Sequence, residues 1–140
     1  KLDTPSGHPC DLFEQAAFHM PMVYNGLPLN LGGQAPFDLT FVTEIPQLLS
    51  RYDVAYYNKR LSYCRDKGHL YDLLSIPFTA QAITSASDRI KQVQDVLGQQ
   101  MAVENVSHYC APGQPMPEIE FLLSVLDAAN CPLSLDVNNV

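Results

Sequence analysis

Basic residues are scarce in this sequence. Eight Lys and Arg stand against 15 Asp and Glu, a formal charge of −7 over 140 residues. A protein that grips a phosphate backbone needs a basic face, so nucleic acid is excluded as a partner. No apolar run approaches the roughly 20 residues of a membrane span, and no basic segment leads into an apolar one as in a secretory signal. Cysteine is sparse and scattered: Cys10, Cys64, Cys110 and Cys131 form no C-x-x-C pair. Thiols without a disulfide framework fit a reducing compartment, here the cytoplasm. Also missing are G-x-G-x-x-G, the Walker loop, G-x-S-x-G and H-E-x-x-H, and with them the phosphate-cradling and nucleophile motifs that are easiest to read.

What is present is an alternation of elements in a chain of one-domain length. Residues 1–19 read as irregular, broken by Pro5, Gly7 and Pro9, with room for two helical turns over Asp11–Phe18. "MPMVYNGLPLNLGG" (20–33) reads as a strand with a Gly-rich exit. Asp38–Ser50 has helical spacing but contains Pro46, which predicts a kink or two short pieces. "DVAYYN" (53–58) reads as a second strand, followed by a long connection over 61–78. Thr79 is an expected N-cap for a helix to Leu97 with Gly98 just past its end. "QMAVENV" (100–106) reads as a third strand. Pro117 opens a helix with a broad apolar face (Ile119, Leu122, Leu123, Val125, Leu126), and "PLSLDV" (132–137) reads as a fourth strand. Strand-helix alternation of this kind predicts right-handed βαβ units and a parallel α/β sheet. Short continuous apolar strands predict a sheet covered on both faces.

Every expected strand ends in polar residues: Asn25; Asn58, Lys59 and Arg60; Glu104 and Asn105; Asp136 and Asn138. In parallel α/β folds the carboxyl ends of the strands build the site. Glu104 and Asp136 would come from successive strands, and carboxylates so placed suit Mg, Mn or Fe(II), with His69 as a nitrogen donor. The plain alternative is that Asn and Asp after a strand serve turns and helix caps; Glu104, a poor turn residue, is the exception. His8, His19 and His108 read as ordinary packed or surface residues, and Tyr56, Tyr57 and Tyr63 as packing or rim residues.

Three stretches, "GHLYDLLSIPFT", "RIKQVQDVLGQQMAVENVSHY" and "EFLLSVLDAANCPLSLDVNNV", resemble the multinuclear non-haem iron-dependent oxidative enzymes. That bacterial family was first catalogued as a domain of unknown function and includes the methanobactin-biosynthesis enzyme. The resemblance runs from about Pro21 to Val140. It implies a TIM-type (β/α) barrel, here a partial one of about four parallel strands with intervening helices, occupying 1–140 as a single domain. It further implies two or three iron ions, oxidation of a cysteine in a precursor peptide, and a small partner protein that presents the peptide. On the matched positions Glu104 and Asp136 look like metal ligands, with His69, Asn105 and Asn138 in or around the metal shell.

The sequence departs from that family's pattern at three positions. Asn25-Gly26 stands where the family shows His-Gly, and Lys59-Arg60 stands where it shows Glu-His. Arg cannot ligate, so the metal site is expected to be incomplete. A full barrel of this kind needs about 250 residues. The chain therefore reads as a fragment or a shortened copy, with two copies associating to close the half barrel. Two rival readings are a non-catalytic remnant that binds a partner, and a divalent-metal barrel of the sugar-isomerase kind.

Overall fold

A computed structural model describes residues 17–26, 29–36, 39–40, 42–52, 54–64, 74–107 and 114–140. Its centre is one parallel sheet of four strands in the order β1 (Met22–Asn25), β2 (Val54–Arg60), β3 (Met101–Glu104) and β4 (Leu133–Ser134). Sequential order with every pair parallel is the winding of a barrel wall, not of a sheet that reverses at a switch point. The fold is α/β, as expected, and is consistent with part of a TIM-type barrel.

Three helices bridge the strands: α1 (Ile45–Arg51), α2 (Ala80–Leu97) and α3 (Glu118–Ala129). The expected break around Pro46 is real. A 3-10 turn over Val42–Glu44 precedes α1, and Pro46 falls in the first turn of α1, where its missing N–H has no helical partner to lose. Helix α2 begins and ends where its caps dictate. Thr79 Oγ1 accepts from the Ala82 N–H at 3.1 Å, and Gly98 closes the helix in the left-handed conformation at φ 68°. Asn130 plays that closing role after α3, at φ 50°.

All three helices lie on one face of the sheet. Ala86, Ile90, Val93 and Leu97 of α2 and Phe121, Leu122, Val125 and Ala129 of α3 form a single core with Val42, Ile45 and Leu49, and with Tyr57, Met101 and Val103 from the strands. Phe78 stacks on Phe121 at 5.0 Å between ring centres. Gln94 ties the layers together: its Nε2 donates to the Ala129 carbonyl, and its Oε1 accepts from the Met101 N–H.

Four expectations need correction. Strand β2 runs to Arg60, so Lys59 and Arg60 lie within the strand and not beyond it. Strand β4 has only two residues, because Asp136 caps a 3-10 turn over Val137–Asn139 and ends the ladder. Helix α3 buries a narrower stripe than its composition suggests; Ile119 and Leu123 are more than half exposed. The face away from the helices is unevenly covered among the described residues: Val23 is 46 % and Tyr56 39 % exposed there, whereas Asn58, Ala102 and Glu104 on the same face are buried. Residues 1–16, which include most of the irregular N-terminal segment, lie outside the described residues. Among the described residues no helix is long and apolar enough to cross a membrane.

Candidate functional site

Strand register decides which polar side chains meet. Asn25 pairs with Asn58 across β1 and β2, and Arg60 pairs with Glu104 across β2 and β3. Register partners share a face, and so do residues two apart on one strand. Asn25, Asn58, Arg60 and Glu104 therefore emerge together on the face away from the helices, at the carboxyl end of the sheet. Val23 and Tyr56 lie below them on the same face, toward the amino end. Lys59 alternates to the helix-covered face, in register with Val103. It is fully buried, and burial lowers its pKa. Lys59 and Arg60, which stand where the family shows Glu-His, are thus sent by the pleat to opposite sides.

Glu104 is the hub of this cluster and is 7 % exposed. Its Oε1 accepts from Arg60 Nε at 2.8 Å. Its Oε2 accepts from Asn58 Nδ2 at 2.5 Å and from Asn25 Nδ2 at 3.2 Å. Both amides turn their NH2 groups toward the carboxylate, as an anion requires. Their oxygens, Asn25 Oδ1 and Asn58 Oδ1, are left buried without a hydrogen-bond partner. Beneath the cluster Gly26 bonds through its N–H to the Asn58 carbonyl at 2.9 Å. A Cβ there would lie 1.5 Å from the Tyr57 hydroxyl, so only glycine allows the approach. Tyr57 is wholly buried and stacks on Tyr24 at 5.8 Å; burial raises its pKa, and Tyr24 beside it adds to the shift.

Asp136 belongs to a second network. Its Oδ1 accepts from the Asn138 N–H at 2.9 Å and from Asn138 Nδ2 at 3.2 Å, and its Oδ2 accepts from Asn139 Nδ2 at 3.1 Å. Asn105 fastens this turn to the end of β3. It accepts from the Asp136 N–H at 2.7 Å, donates to the Asp136 carbonyl at 3.0 Å, and its own carbonyl accepts from Asn139 Nδ2. Asp136, Asn105 and Asn138 are thus brought together, as a cap and clamp. Glu104 sits one residue before Asn105 but is held by the first network. His69 lies outside the described residues. Asn139, and Asn58 as a partner of Glu104, join the set of site residues. Both had a signal in the sequence: Asn58 its two-residue spacing from Arg60, and Asn139 its place beside Asn138 after the fourth strand.

The described residues do not fit a divalent metal as they stand. A metal needs oxygen lone pairs turned inward, whereas the amide oxygens of Asn25 and Asn58 point away and an arginine holds the carboxylate. Among the described residues no three of His, Cys, Asp and Glu come together to hold a metal.

Four parallel strands in sequential order, with a polar cluster at their carboxyl ends, define the class: an α/β domain consistent with part of a TIM-type barrel. The particular family follows from comparison. The chain belongs to the family described as RiPP precursor modification enzyme MbnB/TglH/ChrH, whose profile matches residues 2–140. A UPF0276 protein of Pasteurella multocida is 46 % identical over 129 residues, covering 91 % of this chain and 42 % of that protein. One from Acinetobacter baylyi is 46 % identical over 134 residues, covering 96 % and 47 %. One from Haemophilus influenzae is 44 % identical over 129 residues, covering 91 % and 42 %. The chain spans less than half the length of these relatives.

Proposed function

We propose that this chain is a segment of a peptide-modifying barrel whose strand-end rim receives a precursor peptide and whose iron site is incomplete. The observation that carries the reading is Glu104, engaged by Arg60 and by the inward NH2 groups of Asn25 and Asn58. In this reading Glu104 and Asp136 stand at the metal positions, with Asn105, Asn138 and His69 around them. Asn25, Lys59 and Arg60 are the positions where the donor set fails. When bound, iron would supply the centre at which molecular oxygen, the oxidant, is used to oxidise a peptide cysteine. This chain's own residues would hold the peptide on the face away from the helices, where Val23 and Tyr56 offer apolar contact below the polar cluster. Family membership favours this reading over a sugar-isomerase barrel. The free thiols of Cys64 and Cys131 suit a cytoplasmic location. A small partner protein that presents the peptide belongs to the same proposal.

The test loads the whole chain with Fe(II) anaerobically, desalts it, measures iron, and then adds air and a synthetic cysteine-containing peptide. The expected result is peptide binding by fluorescence anisotropy, iron far below stoichiometric, and an unchanged peptide mass. Stoichiometric iron that disappears in Glu104→Gln, with a changed peptide mass, would show a complete site. Failure to bind any cysteine peptide would remove the peptide role.

A further inference from the structure

We infer that the cleft between the exit loop of β1 and the first turns of α2 is a second peptide subsite, which holds an extended acidic segment of the precursor peptide beside the rim. The inference deepens the peptide reading above and rests on it.

The cleft has a fixed shape. Its volume is about 530 Å³, in the range of ligand sites. One wall is the loop over residues 31–34, which is pinned from two sides. Gly32 donates its N–H to the Ser62 carbonyl at 3.2 Å, two residues past the end of β2. A Cβ on Gly32 would lie 2.7 Å from Ile76 Cγ1 and 3.2 Å from Tyr63 Cα, so the loop backbone rests directly on these residues. Arg89 of α2 donates through Nη1 to the Asn30 carbonyl at 3.1 Å and through Nη2 to the Ala35 carbonyl at 2.5 Å. A wall held in place before binding loses little freedom when a ligand enters. The Gly32–Ser62 bond also sets the cleft at the same end of the sheet as the Glu104 cluster. The chain passes from β1 to this wall through Gly26, and from β2 to Ser62 through Arg60.

The lining gives the ligand class. Gln81, Ser85 and Arg89 recur every four residues and form one polar row of α2 along the cleft. Eight residues of helix cover about 12 Å, the length of about four extended residues. Gln34 lines the cleft from the loop. Amide and hydroxyl side chains both donate and accept, which suits the alternating N–H and C=O groups of a peptide. Leu31, Ile76 and Ala86 are buried beneath and offer contact to a small apolar side chain. Charge then selects among peptides. Among the described residues no Asp or Glu lines the cleft, although the chain as a whole carries −7, and Arg89 brings a positive charge to it. Acidic side chains are therefore favoured there and basic ones repelled.

The experiment measures the fluorescence anisotropy of labelled cysteine peptides titrated with the whole chain. The peptides carry a tail of four Glu, four Lys or alternating Gly and Ser, at either end. The wild type is compared with Ser85→Trp, which fills the cleft, and Ser85→Glu, which adds an opposing charge. Ser85 is exposed, so both variants should keep the native far-UV spectrum. The Glu tail should tighten binding about tenfold over the Gly-Ser tail, and the Lys tail should give no gain. Both variants should lose the Glu-tail gain and bind the Gly-Ser peptide as the wild type does. A missing Glu-tail gain overturns the inference, as does a gain that survives in both variants or is equalled by the Lys tail. Binding of the Gly-Ser peptide without a Glu-tail gain leaves the rim reading standing, whereas no binding with any tail removes both.

Discussion

Single residues at the rim are arranged by the pleat. Arg60 was legible as a departure from the family pattern, but its pairing with Glu104 was not. That pairing depends on where β2 stops and on which strand lies beside it, and both are tertiary facts. The same holds for Gly26, which local sequence marks only as a turn residue. The structure makes it the place where β1 passes over the Tyr57 ring. Replacing Gly26 with Ala would put a methyl 2.2 Å from Tyr57 Cζ as well as against the hydroxyl. Tyr57 is wholly buried and stacked on Tyr24, so it has no room to withdraw. A loss of about 3 kcal/mol is expected for Gly26→Ala, measured by urea unfolding. A loss of less than about 1 kcal/mol would mean that the β1 exit is free to shift.

At the scale of elements, the helices were the most readable part. Thr79 and Gly98 bracket α2 because a side-chain oxygen and a left-handed glycine satisfy helix ends by local chemistry alone. Thr79→Ala should cost about 1 kcal/mol, and thermal unfolding of the variant against Thr79→Ser, which keeps the hydroxyl, checks the cap. Strands were less readable. Their ends depend on neighbours, so β2 came out longer and β4 shorter than the apolar runs suggested. Cys131, just past α3, gives a prediction in pH. Burial raises its thiol from 9.0 to about 11. Above pH 9 the unfolded chain therefore releases this proton before the native chain does, so native stability falls between about pH 9 and 11 and is unaffected by this thiol below that window. Cys131→Ser should flatten that part of the stability profile in urea titrations, and an unchanged slope would assign it to other groups.

At the scale of the whole molecule, the described residues give four parallel strands in sequential order. Barrels of this winding close with eight strands. Unpaired strand edges invite pairing with another chain. Among the described residues β1 and β4 each have a single paired neighbour. Val23 and Tyr56 leave apolar surface on the face away from the helices, and Leu133 and Leu135 leave more at the β4 edge. Sedimentation equilibrium at micromolar concentration is expected to give the mass of two chains. A single-chain mass would rule out closure by a second copy.

The sequence by itself determined the α/β alternation, the limits of α2, the break before α1 and the family, because each rests on local periodicity, caps or contiguous motifs. It also marked Glu104, Asp136, Asn105 and Asn138 as the polar residues at strand ends. Only the tertiary structure decided what those residues touch. Register placed Arg60 beside Glu104 and turned Lys59 away. The early end of β4 freed Asp136 to cap its own turn, with Asn105 as clamp. Helix packing fixed which face of the sheet carries the apolar core. These outcomes depend on side chains 44 to 79 positions apart meeting across a ladder, and no local signal carries the register of that ladder.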